Sequence, residues 1–397
     1  MSNVQKPKSA SRRTVLKTMA AGGAILAAPT ILTTPFRKAR AATTPGTIHM
    51  LASPTVALED WSQFEKDTGL KMDFKPFTVD DVGALMNEVV VNGGGERYDI
   101  ISTLAGVQKG LIDKGQVAPL DTTKLKNYAG IPDTIKRNSL LYKGDNKDWG
   151  LPFIMNADAF GYFPSKLGLP RPPELLNWDL LLTSEKTKGQ CAMEADHIAL
   201  MIGGMYMKTR NLAAINDPAN MTAAECTTVA DWMIERKKAG QFRTFWKSYD
   251  EQVANFVSGE VLVQRCWEPA EREAKRQGLD VEYAFCSDFH VNWMHAAFIT
   301  ASAVQRDNVD EVYKALDWFN GGSYCAGQAV RSGYAGARMD LATAFVQEAK
   351  WPDDKVALVK ANMEKVSLKF SNPKFWISGL PDDMKSHELE AERFRNA

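Results

Sequence analysis

Residues 149–164, WGLPFIMNADAFGYFP, decide the architecture that the sequence predicts. They contain two apolar runs, 151–155 and 157–163, which are interrupted by Asn156 and Asp158. Each run has the length of a β-strand, and the segment is rich in aromatic residues and poor in helix formers. We therefore expect a strand that leaves one α/β domain and enters a second, with a cleft hinged at this point. A central strand of one larger sheet is the alternative.

The chain before this segment alternates between strand and helix patterns. Strands are predicted at residues 47–53, 70–74 and 98–102, and apolar residues at helical spacing follow each of them. Such alternation is typical of an open, mostly parallel α/β sheet.

The chain after this segment predicts a second set of elements. Residues 292–300, NWMHAAFIT, are predicted to form the return passage between the domains. Helices are predicted at 195–207, 221–238, 253–256, 309–319, 341–349 and 355–366, and strands at 261–265 and 281–286. The polar tail from Ser378 is predicted to be a surface helix or a loose end.

The net charge of zero conceals a strong asymmetry along the chain. Of the 48 Lys and Arg residues, eight lie within residues 1–41, which contain no Asp or Glu. The remaining chain therefore holds 40 basic against 48 acidic residues. This acidic balance argues against nucleic-acid binding, which requires basic surface.

Residues 1–41 have the pattern of an export signal. Residues 11–17, SRRTVLK, resemble the twin-arginine motif, with Val15 where that pattern prefers Phe. An uncharged segment follows at 18–36, and residues 39–41, Ala-Arg-Ala, form a small-x-small cleavage site. We expect cleavage near Ala41 and a mature protein free in the periplasm. A membrane anchor is the alternative, but the glycines, proline and threonines of 18–36 make that segment weakly apolar.

Five cysteines remain in the mature chain, at positions 191, 226, 266, 286 and 325. None forms a Cys-x-x-Cys pair, and no His-x-x-x-His, His-Glu-x-x-His or Gly-x-Ser-x-Gly motif occurs. The sequence therefore predicts no catalytic residues, no metal and no cofactor. Cys266 and Cys286 could pair, since the periplasm permits disulfides, or all five could be buried free thiols.

Several segments in a shared order resemble the bacterial extracellular solute-binding proteins of ABC transporters, specifically the spermidine/putrescine-binding branch. The resemblance extends over about residues 47–337. The segments that carry it are Tyr98–Ser102 with Leu111, Gly115 and Leu120-Asp121; Trp149-Gly150-Leu151-Pro152 through Gly161-Tyr162; residues 256–267; Trp293-Met294-His295; residues 309–319; and Gly333-Tyr334. Two departures are visible: Trp149-Gly150 precedes the proline here, and His295 stands where that branch has an aspartate.

The resemblance implies an α/β, two-lobed periplasmic-binding-protein fold of type II. Two α/β domains would be joined by crossover strands and would close on a ligand by a hinge motion. Lobe 1 would comprise residues 42–156 plus 296–337. Lobe 2 would comprise residues 157–295 plus 338–397.

The resemblance also supplies candidate ligand-binding residues. The wall candidates are Trp267, Trp293 and Tyr334, for which core packing is the alternative role. Ser102 and Thr103 lie at the end of a predicted strand, where open α/β sheets bind ligands. His295 and Arg331 complete the set, and Arg265 and Arg338 lie in neighbouring segments.

Two of these features favour a ligand with an acidic or hydrogen-bond-accepting group. The junction aspartate that would hold an ammonium is replaced by His295, which would favour an anion if it were protonated. Arginine is also the usual bidentate partner of a carboxylate or phosphate. The alternative for each arginine is a solvated position on the protein surface, without a contact to the ligand.

The sequence thus predicts a monomeric, non-enzymatic substrate-binding component of an ABC-type importer. Its partners would be a small-molecule solute and an inner-membrane permease, with no nucleic acid. A twin-arginine-exported enzyme and a ligand-sensing module for a receptor are the alternatives.

Overall fold

The structure is a computed structural model that describes residues 45–77, 82–104, 107–136, 141, 147–371, 375–376 and 381–397. The predicted export signal at residues 1–41 lies outside this range. Residues 41–397 form one compact unit. Within the described ranges, none of the helices combines the length and the apolar character that a membrane crossing requires.

The described residues form strands and helices that we number in chain order. The strands are β1 Thr47–Ala52, β2 Lys71–Pro76, β3 Ile100–Leu104, β4 Leu151–Asp158, β5 Phe160–Tyr162, β6 Leu175–Leu176, β7 Cys191–Glu194, β8 Phe242–Trp246, β9 Val263–Arg265, β10 Glu282–Tyr283, β11 Phe285–Cys286, β12 Val291–Ile299 and β13 Phe375–Trp376. The α-helices are α1 Ser62–Thr68, α2 Val82–Met86, α3 Gly94–Arg97, α4 Val107–Asp113, α5 Asp133–Lys136, α6 Pro164–Leu167, α7 Asp179–Leu182, α8 His197–Thr209, α9 Ala223–Lys238, α10 Tyr249–Ser258, α11 Glu268–Arg276, α12 Val309–Phe319, α13 Gly322–Ser332, α14 Met339–Glu348, α15 Asp353–Phe370 and α16 Met384–Asn396.

Local sequence signals explain where the main helices begin and end. The side chain of Asp196 accepts from the backbone N–H groups at the start of α8. Thr222 and Glu225 form a capping box at the start of α9. Gly69 ends α1 at a φ of 70°, a left-handed conformation that glycine adopts without a steric penalty.

The first sheet, sheet 1, has the strand order β13-β12-β3-β1-β2, and β4 pairs with the other side of β12. β1 runs parallel to β2 and β3, whereas β12 runs antiparallel to β3 and β4. Strands β1 to β4 therefore all end at the same edge of sheet 1, and β12 begins there.

The second sheet, sheet 2, has the strand order β10-β5-β9-β7-β8. β7 runs parallel to β8 and β9, and β5 runs antiparallel to β9. Strands β7, β8 and β9 therefore end at one edge of sheet 2. Their last residues are Glu194, Trp246 and Arg265.

The chain passes between the sheets where these carboxyl edges meet. Only Ala159 separates β4 from β5, and Phe160 at the start of β5 pairs with Arg265 at the end of β9. β12 returns beside β4, with Val291 opposite Asp158. The prediction of a crossover strand within residues 149–164 is confirmed, because β4 belongs to sheet 1 and β5 to sheet 2. The chain returns from β10 in sheet 2 to β12 in sheet 1, which is the strand predicted at 292–300.

Separate hydrophobic cores fill the two halves. One core packs around sheet 1 and includes α12 and Tyr324, and another packs around sheet 2 and includes α8, α9 and α11. A third, smaller core joins α13, α14 and α15. We use lobe 1 for sheet 1 with the helices that pack on it, and lobe 2 for sheet 2 with the helices that pack on it. The predicted first and last residues of each lobe remain a prediction.

The C-terminal segment divides between these cores. Helices α14 and α15 share a core with α13, and Phe370 also packs against the core of sheet 1. Helix α16 packs on α8 and α9, where Ala391 and Phe394 are buried. The ring of Phe394 lies 5.3 Å from that of Phe245, so the part of the tail that forms α16 is an integrated helix and not a loose end.

The predicted strand at 281–286 was only partly right. The segment forms two short strands, β10 in sheet 2 and β11, which pairs with β6 in a separate two-stranded sheet. The apolar residues of both β10 and β11 are buried, so the hydrophobic pattern does not show that one strand ends and another begins within this segment.

Candidate functional site

The junction of the two sheets brings together the carboxyl ends of parallel strands from both lobes. In open α/β sheets this edge is where ligands bind, because the loops and helix starts that follow the strands can surround a ligand. The residues at the junction combine aromatic rings with charged side chains, which is the composition of a small-molecule site. We therefore take this junction as the candidate site.

An ion-paired triad lies at the centre of the junction. One terminal nitrogen of Arg265, at the end of β9, lies 3.1 Å from Asp158 Oδ2 of β4. The other lies 3.1 Å from Glu194 Oε1, at the end of β7. All three side chains are at most 4 % exposed. We call these residues the acid–arginine triad.

The acid–arginine triad contains two carboxyl groups and one cation. Burial raises the pKa of Glu194 to about 7, and the nearby guanidinium of Arg265 only partly offsets this. Burial also raises the pKa of Asp158. Two carboxylates therefore share one cation in a site from which water is largely removed.

Trp293 forms the aromatic part of the site. Its indole N–H donates to Asp158 Oδ1 at 2.8 Å, which links it to the triad. Its ring meets Tyr334 edge-on, with centroids 4.8 Å apart, and His295 in the same way at 5.7 Å. The predicted candidates Trp293, His295 and Tyr334 therefore lie together.

Trp267 lies at the rim of this group. It is partly exposed and follows Arg265 at the start of α11. Its ring packs edge-on against Trp246, 5.7 Å away, and Trp246 in turn lies under the guanidinium of Arg265. Trp246, which the sequence did not single out, thus joins Trp267 to the triad.

The two candidates on β3 point to opposite sides of sheet 1. Ser102 pairs with Ala297 and so shares a face with Trp293 and His295, because side chains alternate along a strand. Thr103 pairs with Ala296 and faces the other way. Of the two, Ser102 is therefore the one that can contribute from the face that carries Trp293.

Several buried polar atoms at the junction have no hydrogen-bond partner among the residues that the structure describes. They are Ser102 Oγ, His295 Nδ1, Glu194 Oε2 and Arg265 Nε. Buried polar groups are normally hydrogen-bonded, since an unpaired one costs about 1–3 kcal/mol. A bound solute or water would satisfy these atoms.

The predicted candidate Arg331 has other partners. Its guanidinium donates to the carbonyl oxygens of Thr55 and Pro54, both at 3.2 Å, in the turn after β1. Arg338 donates to Asn127 O and pairs with Asp340. A ligand contact by Arg331 stays a prediction, but its hydrogen bonds show a structural role in holding that turn.

The surroundings of His295 bear on the condition that it be protonated to favour an anion. The side chain is 2 % exposed on β12, and burial lowers its pKa to about 3. His295 is therefore neutral at physiological pH and can act only as a hydrogen-bonding group. Burial also lowers the pKa of His290 to about 3.

The burial of His295 predicts a measurable acid sensitivity. Because its folded pKa lies below the ordinary value, the unfolded chain binds the extra proton, and stability is lost as the pH falls from about 6.5 towards 3. At about pH 4.5 this cost is about 2–3 kcal/mol. Urea denaturation at about pH 7.5 and pH 4.5 should show that His295→Asn loses less stability on acidification than the wild type by this amount. Equal losses in both proteins would contradict a neutral buried His295.

A buried carboxylate does lie beside Trp293, which bears on the expectation that the site lacks a fixed acidic group. Asp158 supplies this carboxylate from β4, the strand beside β12, and accepts the hydrogen bond of the Trp293 indole N–H. Asp158 was visible in the sequence as a charged residue within an apolar strand. That position is the signal that could have identified it, because a buried charge within a strand requires a partner.

The cysteines have no role in this site. All five are buried and free. Burial raises their thiol pKa values, to about 11 for Cys191 and about 12 for Cys226 and Cys325. Among the described residues, no group of His, Cys, Asp and Glu side chains is arranged to hold a metal ion.

Comparison with known proteins gives a family and a set of similar folds. A family model described as bacterial extracellular solute-binding protein matches residues 61–357. No curated protein matches the sequence.

Three solved structures illustrate the likeness of fold. The spermidine/putrescine ABC transporter substrate-binding protein PotD from Streptococcus pneumoniae has a TM-score of 0.65 at 13 % identity, over 88 % of this chain and 99 % of that one. An ABC transporter substrate-binding protein from Bradyrhizobium japonicum has a TM-score of 0.61 at 16 % identity, with the same coverage. The binding protein MotA from A. tumefaciens, in complex with glucopine, has a TM-score of 0.56 at 15 % identity, again over 88 % and 99 %. At these identities the likeness shows the fold, a two-lobed α/β fold of the type II periplasmic binding proteins.

Proposed function

The chain belongs to the family of bacterial extracellular solute-binding proteins, and from this premise we propose that it captures one small polar solute at the junction of its two sheets and delivers it to an ABC-type importer. The observation that carries the site is the meeting of Trp293, Tyr334 and the acid–arginine triad at the carboxyl edges of both sheets. Hinge closure about β4 and β12 would enclose the solute.

The chemistry of the site supports a solute with more than one kind of polar group. Glu194 Oε2 can accept from a cationic or neutral donor, and Arg265 Nε can donate to an acceptor. Ser102 Oγ and His295 Nδ1 add hydrogen-bonding capacity without charge. A carboxylate-bearing solute remains among the candidates, but a purely anionic one would face two carboxylates that share a single cation.

The cellular setting is part of the same proposal. The twin-arginine pattern of residues 11–17 and the cleavage site near Ala41 support export of a folded, monomeric protein to the periplasm. There it would meet an inner-membrane permease. The absence of turnover also belongs to the proposal, as the family is one of binding proteins.

A thermal-shift screen of residues 42–397 tests the proposal. The panel would hold polyamines, amino acids, sugar–amino-acid conjugates, dicarboxylates, sugars and phosphonates. A solute present at ~100 times its dissociation constant should stabilise the protein by about 2.7 kcal/mol. The expected result is a shift from one chemical class, with a change in tryptophan fluorescence. A panel member that is chemically converted would instead support the exported-enzyme alternative.

A further inference from the structure

A second buried charged cluster lies where α11 of lobe 2 meets α15. Glu268, the first residue of α11, is 3 % exposed and makes ion pairs with three cations. Two of them, Lys365 and Lys369, belong to α15, and Lys369 Nζ lies 3.1 Å from Glu268 Oε2. The third, Arg272, lies one turn along α11 at 3.5 Å.

The same cluster reaches the crossover strand. Asn156 Nδ2 of β4 donates to Glu268 Oε2 at 3.2 Å, and Lys369 Nζ donates to Asn156 Oδ1 at 3.4 Å. Lys369, which is 1 % exposed, also lies 4.6 Å from the centre of the Tyr283 ring in sheet 2. Asn156 pairs directly with Trp293 on β12, so the cluster supports the strand pair that carries the binding site.

Helix α15 also holds the segment that carries Tyr334. Asn362 Nδ2 donates to Tyr334 O at 3.1 Å, and Arg272 donates to Asn362 Oδ1 at 3.3 Å. Arg272 lies so close to Gly333 that a β-carbon there would stand 2.3 Å from its guanidinium. The segment of Tyr334 is therefore fixed between α11 and α15.

Helix α15 packs with lobe 1, so the cluster crosses from one lobe to the other. Val359, Met363 and Val366 of α15 share a core with α13, and α13 carries Tyr324 into the core of sheet 1. Ala270 and Ala274 place α11 in the core of sheet 2. The ion pairs of Glu268 with Lys365 and Lys369 are thus contacts between lobes, whereas the pair with Arg272 lies within α11.

We propose that Glu268, Arg272, Lys365 and Lys369 form an interlobe clamp that favours the closed arrangement of the lobes and positions Asn156 and Tyr334 for solute binding. The proposal rests on the hinge motion of the proposed function. Glu268 is a positioning residue, since it acts on the site through Asn156 and through the backbone of Tyr334.

Glu268 is central to the interlobe clamp because it is the anion with which all three cations pair. Burial raises its pKa, but the ammonium groups of Lys369 and Lys365 outweigh burial and hold the pKa below its ordinary value. Without this carboxylate, the three cations would lose the anion with which each of them forms an ion pair. Opening would relieve the repulsion among the cations by returning them to water.

The experiment measures the distance between the lobes by pulsed electron spin resonance on the full, solute-free chain. Spin labels are attached at Glu65→Cys in α1 and Lys238→Cys in α9, both exposed positions. The native thiols are buried with raised pKa values, so labelling is confined to the introduced cysteines.

In this measurement Glu268→Gln should raise the ratio of open to closed molecules by about 100-fold. Glu271→Gln is the matched control, since Glu271 is equally buried on the same helix but pairs with Lys275 of that helix. Glu268→Gln combined with Lys369→Met should recover part of the closed population, because one unpaired cation is removed. A general loss of structure would not be rescued in this way.

The partly exposed Lys365 provides a second variant in case Glu268→Gln does not fold. Lys365→Met should open the lobes in the same direction but less strongly. Distance distributions identical to the wild type in both Glu268→Gln and Lys365→Met would overturn the clamp, and so would an equal shift in Glu271→Gln. These measurements use no solute, so failure of the clamp leaves the proposed function standing. If no solute of the panel binds, the interlobe distances of the variants can still be compared with those of the wild type.

Discussion

Replacement of Arg265 by methionine is expected to lower the free energy of unfolding by about 3–5 kcal/mol at about pH 8, the cost of removing one partner from a buried ion pair. Arg265 forms ion pairs with both Asp158 and Glu194, and all three side chains are buried. Methionine has a similar length but no charge, so the two carboxylates would face each other unpaired. Urea denaturation measures this loss.

The loss should become smaller at lower pH. Without the guanidinium, the pKa values of Asp158 and Glu194 would rise further above their ordinary values. The folded variant would then bind protons that the unfolded chain does not bind, and its stability would increase as the pH falls. At about pH 5 the difference from the wild type should therefore be clearly smaller than at about pH 8.

Arg243→Met is the matched control for this experiment. Arg243 pairs with Glu260, but both side chains are more than half exposed. Removing an exposed pair should cost less than about 1 kcal/mol. If Arg265→Met were as mild as Arg243→Met at about pH 8, the acid–arginine triad would not be a buried ionic network.

Trp293→Ala is expected to lower the free energy of unfolding by about 3–5 kcal/mol and to weaken solute binding by about 1–3 kcal/mol. The side chain is 7 % exposed and fills the space between His295, Tyr334 and Asp158. Its loss leaves a cavity and removes the hydrogen bond to Asp158 Oδ1. Urea denaturation and calorimetric titration with the panel solute measure the two effects separately.

Trp293→Phe separates the ring from its N–H group. Phenylalanine keeps an aromatic face towards Tyr334 but cannot donate to Asp158. Its stability and affinity should lie between those of the wild type and Trp293→Ala. Unchanged affinity in Trp293→Ala would remove Trp293 from the binding site, whatever its effect on stability.

The secondary structure near the junction follows from local patterns, which is why the sequence predicted it well. The two apolar runs of residues 149–164 have strand length, and the residues between the first strands repeat at helical spacing. The predicted helix at 309–319 coincides with α12. These signals depend on neighbouring residues and need no knowledge of distant contacts.

The grouping of Trp293, His295 and Tyr334 came from the family resemblance and not from local pattern. The sequence alone left core packing open as a role for each aromatic residue. The structure places Trp293 and Tyr334 in contact and also buries both, so each has a packing role whether or not it touches a solute.

The pairing of the charged residues could not be predicted, because the partners are distant in sequence. Asp158 and Arg265 are 107 residues apart, and Glu268 and Lys369 are 101 residues apart. Lys365 and Lys369 lie on a helix whose pattern is equally compatible with a solvated face. The protonation of His295 depends on its burial, which sequence does not supply.

The central claim is that one solute binds between the carboxyl edges of the two sheets, against Trp293 and the acid–arginine triad. The most direct test is a calorimetric titration of residues 42–397 with the panel solute that gives the largest thermal shift, repeated with Trp293→Ala and with Arg243→Met. We expect one solute per chain, with affinity reduced by Trp293→Ala and unchanged by Arg243→Met. Binding at another stoichiometry, or equal affinity in all three proteins, would contradict it.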